Sequence, residues 1–140
     1  MRILYVAIMV ALLMTPAAEA LAERYVRFNR LQLSDPVLSV TSSELKPVSA
    51  GDQVVIANTI HNNHTERVSF FLIVEVRDAD GFTTNLNWIN GNVDAGKDIQ
   101  IGVSWMPAKA GQYTLDTFAL ESITDPVALS QIAESRVDIA

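Results

Sequence analysis

The chain contains no cysteine among its 140 residues. Disulfide frameworks, thiolate nucleophiles and cysteine-ligated zinc, iron–sulfur and blue-copper sites are therefore excluded. Basic residues are also scarce, with 10 Lys and Arg against 16 Asp and Glu and a formal net charge of −6. Binding to nucleic acid depends on Lys and Arg that displace counterions from the phosphate backbone. We therefore expect no nucleic-acid partner.

The sequence also lacks the short motifs that signal catalysis. It has no Gly-x-Ser-x-Gly, no lysine-containing phosphate loop and no His-Glu-x-x-His, which are the local signatures of hydrolases, nucleotide-binding proteins and zinc peptidases. Catalytic triads are also assembled from residues far apart in sequence, so the missing motifs alone do not exclude one. We predict a protein that is not an enzyme, with no cofactor and no small-molecule substrate evident.

The N-terminal segment has the three parts of a secretory signal peptide. A basic start at Arg2 is followed by twelve apolar residues at 3–14 and by the small-residue sequence Ala18-Glu19-Ala20, which matches the usual order of basic, apolar and cleavage regions. The pattern predicts an apolar helix within 1–20 and cleavage before Leu21. The apolar run is shorter than the ~20 residues that a spanning helix needs. A retained membrane anchor is the alternative, and both put the rest of the chain outside the cytoplasm.

Beyond residue 30 no stretch keeps the helical period of 3.6, and short alternating runs are separated by turn residues. We predict an all-β immunoglobulin-like antiparallel β-sandwich of about seven strands, preceded by the signal-peptide helix. Residues 21–46 form an N-terminal extension with a first strand, and 47–140 form the sandwich. The predicted strands are 54–60, 67–77, 83–89, 99–105, 112–121 and 135–139, with a bent strand at 25–33 and a surface loop marked by Asn90-Gly91 and Asp94-Ala95-Gly96.

A family resemblance sharpens this prediction. The residues that carry it are Trp105-Met106-Pro107, Gly111-Gln112-Tyr113, Phe118, Glu121-Ser122-Ile123, Pro126 and Ala128-Leu129-Ser130. This run resembles the single immunoglobulin-like or CARDB-like domains of exported proteins in ammonia-oxidising archaea, over about Gly51 to Ser130. Such domains have no established catalytic residues. The resemblance therefore implies the fold and the compartment, and it implies no active site.

Two polar features are candidates for metal binding and glycosylation. His61 and His64 are close enough in sequence for a loop to bring both imidazoles to one copper or zinc ion. On an extended strand, however, they would point to opposite faces, and no third ligand is evident. A solvated loop is the favoured interpretation and a metal site the alternative. Asn63 begins the only Asn-x-Ser/Thr sequon, which makes it a glycosylation candidate in a secreted protein.

The most informative pattern concerns one face of the predicted sandwich. In 67–77 the residues Phe70, Leu72, Val74 and Val76 share a parity, which turns Phe71 and Ile73 to the other side. In 112–121 the same alternation turns Phe118 and Leu120 outward. These strands are neighbours in an immunoglobulin-like sheet, so four large apolar residues are expected together where polar ones are usual. Either a chain segment, 21–33 or 124–130, covers them, or they bind a partner.

These observations predict a secreted or surface-associated, non-catalytic interaction module. The interaction face is Phe71, Ile73, Phe118 and Leu120, and it binds a protein partner or a second copy of the chain. The alternative is an accessory extracytoplasmic subunit of a membrane-embedded complex, anchored by its N-terminal helix. The resemblance to domains of ammonia oxidisers makes a monooxygenase-associated or copper-handling role conceivable for that alternative.

Overall fold

The computed structural model describes residues 27–40 and 47–140. The predicted signal segment at 1–20 lies outside the described residues, as do 21–26 and 41–46 of the N-terminal extension. Beyond residue 30, eight β-strands make up the regular structure of the described part, which confirms the all-β prediction. They are β1 (Leu31–Leu33), β2 (Val37–Val40), β3 (Val54–Asn62), β4 (Val68–Arg77), β5 (Thr83–Val93), β6 (Asp98–Trp105), β7 (Gly111–Leu120) and β8 (Ala133–Ile139).

The strands form two antiparallel sheets. In the first, β3 pairs with β6 on one edge, while β1 and β2 pair with successive parts of its other edge. Pro36, which separates β1 from β2, has no N–H to donate to a ladder. The second sheet has the order β5-β4-β7-β8. Eight strands therefore occupy seven positions, because β1 and β2 share one edge.

The core lies between the two sheets and follows the period-two alternation of the sequence. Its largest fully buried apolar side chains are Leu31, Val54, Ile56, Ile60, Phe70, Leu72, Val74, Val76, Leu115 and Leu129. The Trp105 and Tyr113 rings are also buried and meet edge to face, with centroids 5.2 Å apart and planes at 74°, a favoured geometry for aromatic pairs. The Tyr113 hydroxyl donates to the carbonyl oxygen of Lys109 at 2.9 Å, which holds the turn before β7 in place.

Asn58 interrupts the apolar parity of β3, and its side chain links the two sheets. Its Nδ2 donates to the carbonyl oxygen of Ser34 and to Oγ1 of Thr117, both at 2.8 Å. Thr117 belongs to β7 in the opposite sheet and is fully buried. Both amide hydrogens are thereby satisfied, one within the first sheet and one across the core, whereas the Oδ1 of Asn58 is buried with no partner among the described residues.

Asn62 holds together two turns at one end of the sandwich. Its Nδ2 donates to the carbonyl oxygens of Glu66 and Val93, and its Oδ1 accepts from the backbone N–H of His64. The first and last of these contacts close the turn from β3 to β4, while Val93 ends β5. The polar pair Asn62-Asn63 thus ends the β3 run, as the sequence predicts, and the Asn62 side chain is fully buried.

Several predicted boundaries are wrong. Asn90-Gly91 belongs to β5, which runs on to Val93 and not only to 89. Glycine suits this position of the strand better than a larger residue, because a Cβ on Gly91 would lie only 2.9 Å from Cζ of Phe70. Of the predicted strand 25–33, residues 25 and 26 lie outside the described residues, Arg27 and Phe28 are helical, and a bond joins the Arg30 N–H to the Arg27 carbonyl oxygen. Among the described residues of that stretch, the extended part is Leu31–Leu33.

Two further differences concern the sheet edges. Val37–Val40 forms a strand that the sequence did not predict, since four residues are too few to show a clear alternation. The final strand begins at Ala133 and not at 135. In the part of the chain that the structure describes, no helix has the length and apolar character that crossing a bilayer requires.

Candidate functional site

The four residues of the expected face lie together on the outer side of the second sheet. β4 and β7 are neighbours, and their register places Phe71 opposite Leu120 and Ile73 opposite Phe118. The intervening residues Leu72 and Ala119 point into the core and are fully buried. Because successive side chains of a strand alternate between faces, these four turn away from the core.

The edge strand β5 adds two apolar residues to this surface. Trp88 lies opposite Ile73 and Leu86 lies opposite Glu75, and their exposed fractions are 55% and 56%. The sequence alone assigns neither residue to this face. Extending β5 to the buried Val93 supplies the missing signal, since the even-numbered residues then point outward. The apolar face therefore consists of Phe71, Ile73, Leu86, Trp88, Phe118 and Leu120.

Burial is uneven across the apolar face. Ile73 is only 9% exposed, because it lies in the central row between Trp88 and Phe118. Phe71, Phe118 and Leu120 are half-buried. The two residues of β5 are the most accessible part of the surface.

The segment 124–130 does not lie across this face. Its backbone pairs with the end of β7, through bonds from Glu121 N–H to the Val127 carbonyl oxygen and from Leu129 N–H to the Ala119 carbonyl oxygen. It therefore extends the sheet sideways at the position that β8 occupies farther along β7. The strand Leu31–Leu33 belongs to the opposite sheet, so this part of the other candidate segment, 21–33, does not cover the face either. Residues 21–26 of that segment lie outside the described residues.

A charged cluster occupies the other half of the same outer surface. Arg77 of β4 donates from Nε to Oδ2 of Asp116 at 2.8 Å, and its guanidinium lies 3.9 Å from Glu134 of β8. The hydrogen bond to Asp116, and next the charge of that carboxylate, raise the pKa of Arg77 above its ordinary value. The cluster borders the apolar face. Within it, Arg77 supplies the hydrogen bond and the positive charge that the buried Asp116 carboxylate needs.

The two histidines have separate partners. His61 lies in β3 opposite Asp98 of β6, with Nδ1 and Oδ1 2.5 Å apart. His64 lies in the following turn, where its Nδ1 accepts the backbone N–H of Glu66 at 3.3 Å. Within residues 27–40 and 47–140, no group of three His, Asp or Glu side chains is arranged to hold a metal ion.

The sequon lies at the turn from β3 to β4, as the sequence predicts. Asn63 is exposed, and its Nδ2 donates to the carbonyl oxygen of Asn29 at 3.2 Å. Its backbone N–H donates to the carbonyl oxygen of Arg30. The turn is thereby fastened to the start of the described chain, and Thr65 of the sequon is exposed.

Two open clefts lie at the ends of the sandwich. One, of about 420 Å3, is bordered by Asn29, Gln32, Asn63 and Gln131 among others. The other, of about 440 Å3, lies between the turn after β4 and the turn before β7, and Asp78, Asp80 and Lys109 are among its polar lining. Neither combines the convergent polar groups and enclosing apolar walls of a typical ligand site.

Comparison with known proteins shows a likeness in fold alone. No protein-family model matches the sequence, and no curated protein matches it. The C-terminal domain of wzt is similar, with a TM-score of 0.65 and 12% identity, over 80% of this chain and 74% of that one. A β-glucuronidase from glycoside hydrolase family 2 has a TM-score of 0.60 and 15% identity, over 75% of this chain and 11% of the enzyme.

A β-glucosidase from Listeria innocua is also similar, with a TM-score of 0.57 and 11% identity, over 81% of this chain and 16% of the enzyme. The chain thus spans a small fraction of the glycosidases that it matches. At these identities the likeness shows the antiparallel β-sandwich fold and nothing about chemistry.

Proposed function

We propose that the protein is an extracytoplasmic, non-catalytic interaction module that binds a protein partner through its apolar face. The observation that carries the proposal is the clustering of six large apolar residues on the outer side of the second sheet, where alternating polar residues are usual. Trp88 and Leu86 leave more than half of their surface accessible. Contiguous apolar surface of this kind typically marks a contact site.

The composition of the face supports the same role. Aromatic side chains are enriched at protein interfaces and supply much of their binding energy, and the face contains Phe71, Trp88 and Phe118. The charged cluster around Arg77 and Asp116 borders it on one side. An apolar centre with a charged margin is the usual anatomy of a protein interface.

The test is a double substitution, Phe71→Ser with Phe118→Ser. Both side chains are half-buried, so each loses less than the ~1.5–3 kcal/mol of a fully buried apolar side chain, and the domain should stay folded. The matched control is Phe28→Ser with Phe82→Ser, which removes two exposed phenylalanines outside the face. Tagged versions of the parent, the face variant and the control are cross-linked in the native cell envelope, and the retained proteins are quantified by mass spectrometry.

The proposal predicts that the parent and the control retain the same proteins and that the face variant loses them. If the face variant retains the same proteins in the same amounts, the face is not the contact surface. If circular dichroism and urea titration show that the face variant is unfolded, these residues act as core and the proposal is wrong.

The proposed compartment follows from the N-terminal sequence. The basic start, apolar run and Ala18-Glu19-Ala20 support export with removal of residues 1–20. Intact-mass measurement of the protein recovered from its native envelope should give a chain that begins at Leu21. A recovered chain that begins at Met1 would contradict cleavage and favour the anchored accessory subunit.

The finer classification as an immunoglobulin-like domain is part of the proposal. It is supported by the seven strand positions, by the buried Trp105–Tyr113 pair and by the bond from the Tyr113 hydroxyl to the Lys109 carbonyl oxygen. A tyrosine that bonds back to the preceding turn is a recurrent feature of such sandwiches. The resemblance to exported domains of ammonia-oxidising archaea agrees with this assignment.

A further inference from the structure

The outer edge of β5 is a long strand edge without the usual protection. Among the described residues β5 pairs with β4 alone, and Thr83–Val93 contains no Asp, Glu, Lys, Arg or Pro. Sheet edges in soluble proteins are normally protected by charges, proline, bulges or short strands. The only irregularity here is a register shift beside Arg77, at the beginning of β5. The remainder is regular and accessible to another strand.

The register shows which backbone groups of β5 have no ladder partner among the described residues. The N–H and the carbonyl oxygen of Ala119 both point to the 129–130 segment. The N–H and carbonyl groups of successive residues in a strand point to alternate sides. Those of Phe118 therefore point to β4 and form hydrogen bonds with Ile73, the residue opposite Phe118. Those of Ile73 consequently point away from β5, and Trp88, which lies opposite Ile73, directs its N–H and carbonyl oxygen to the free edge.

The same alternation assigns Leu86, Asn90 and Asn92 to the free edge together with Trp88. These are also the residues whose side chains lie on the outer side of the sheet. The Asn90 and Asn92 side chains are exposed. A strand that added here would meet a row of unpaired amides and carbonyls beside an exposed tryptophan.

We propose that two copies of the chain associate by antiparallel pairing of their β5 edges, about a two-fold axis at Trp88. This deepens the proposed interaction role by naming a second copy as one partner, and it leaves the contact through Phe71 and Phe118 for another protein. Trp88 is the central residue of Thr83–Val93, so this register pairs the whole strand. Trp88 then forms a hydrogen-bonded pair with the partner's Trp88.

Two features of the chain favour a second copy as the occupant. Aromatic pairs across strands stabilise a sheet, and this register creates one on the outer side. The strand carries no charge, so symmetric pairing sets no like charges opposite each other in a chain of net charge −6.

The decisive experiment uses charge exchange at the axis. The full chain is expressed with Trp88→Lys and, separately, with Trp88→Glu, and light scattering measures the molar mass of each and of an equimolar mixture. We expect a dimeric parent, two folded monomeric variants because like charges face each other, and a dimeric mixture because Lys then faces Glu. A monomeric parent, or a mixture no more dimeric than either variant alone, overturns the proposal.

A second measurement tests the register without a charge. Because the chain has no cysteine, a single introduced cysteine forms only intermolecular disulfides. In a hydrogen-bonded antiparallel pair the Cα atoms are about 5.5 Å apart, which is within disulfide range. Trp88→Cys should therefore oxidise to a covalent dimer much faster than the control Gln100→Cys on the exposed edge strand β6. Equal rates would contradict the register.

The outcome is separable from the proposed function. The variant with Phe71→Ser and Phe118→Ser keeps β5 intact, so it should still form the dimer while losing the envelope partner. If the parent is monomeric and the double substitution still abolishes binding of the envelope partner, the β5 dimer is overturned and the interaction role stands. If the parent forms a dimer that depends on Trp88 but retains no envelope partner, the interaction role is overturned and the β5 dimer stands.

Discussion

Replacing Asn58 by alanine should destabilise the protein by about 2–4 kcal/mol, although Asn58 touches no other polar side chain except Thr117. The substitution removes the donor that links the sheets. The Thr117 hydroxyl is fully buried and keeps only its long bond to the Ala133 carbonyl oxygen, so losing the donor from Asn58 costs about 1–3 kcal/mol. The Ser34 carbonyl is partly accessible to water, and its loss costs about 1 kcal/mol.

Urea titration followed by circular dichroism measures this change as a shift in the unfolding midpoint at constant slope. Thr117→Val is the matched partner, because it removes only the hydroxyl that accepts from Asn58. Since both substitutions break the same bond, the double variant should be more stable than the sum of the single effects predicts, by about 1 kcal/mol. A cost below about 0.5 kcal/mol for Asn58→Ala, or strict additivity, would refute the role assigned to this bridge.

Three further substitutions test other contacts by the same titration. Gly102→Ala should cost at least about 1–3 kcal/mol, because a Cβ there would lie 2.5 Å from the backbone oxygen of Ile56; an unchanged midpoint would contradict this close approach. Asn62→Ala should cost about 2–4 kcal/mol because it removes three hydrogen bonds made by a fully buried side chain, and a loss no larger than that of an exposed asparagine would count against it. Arg77→Leu should lower the midpoint because the Asp116 carboxylate loses its cation. Since the pKa of Arg77 is raised, its contribution is complete below the ordinary arginine pKa and is lost only above it, so the difference between parent and variant should stay constant from neutral pH to about pH 10; a difference that disappears within that range would contradict this reasoning.

The predicted face shows what the period-two alternation of side chains can assign from sequence and what it cannot. Phe71 and Phe118 could be assigned to the outer side from their own strands, because the direction of a side chain is fixed by its position relative to its neighbours in sequence. The burial of Ile73 could not be assigned, because it depends on Trp88 and Phe118 from two other strands. The sequence alone does not assign a side to Trp88 for a related reason, since Asn90-Gly91 resembles a loop and hides the end of β5.

The turn between β4 and β5 is also determined by residues that are close together in sequence. Asp78 accepts the backbone N–H groups of Asp80 and Phe82, and Gly81 adopts a φ of 86°, as the composition of that turn predicts. The two histidines show the opposite case. Their spacing in sequence was compatible with a shared metal, and only the pairing of β3 with β6 shows that His61 lies beside Asp98.

The sequence by itself determined the all-β class, most of the core and the outward direction of the four apolar residues, because alternation and turn preference act over a few neighbouring residues. The tertiary structure decided which strands are neighbours, that β1 and β2 share one edge of β3, and that Asn58 meets Thr117. It also decided that, in the part of the chain that the structure describes, β5 pairs on one side only. Asn58 and Thr117 are 59 positions apart in sequence. Contacts at that separation depend on strand order and register, which the packing of the whole chain selects and no local pattern specifies.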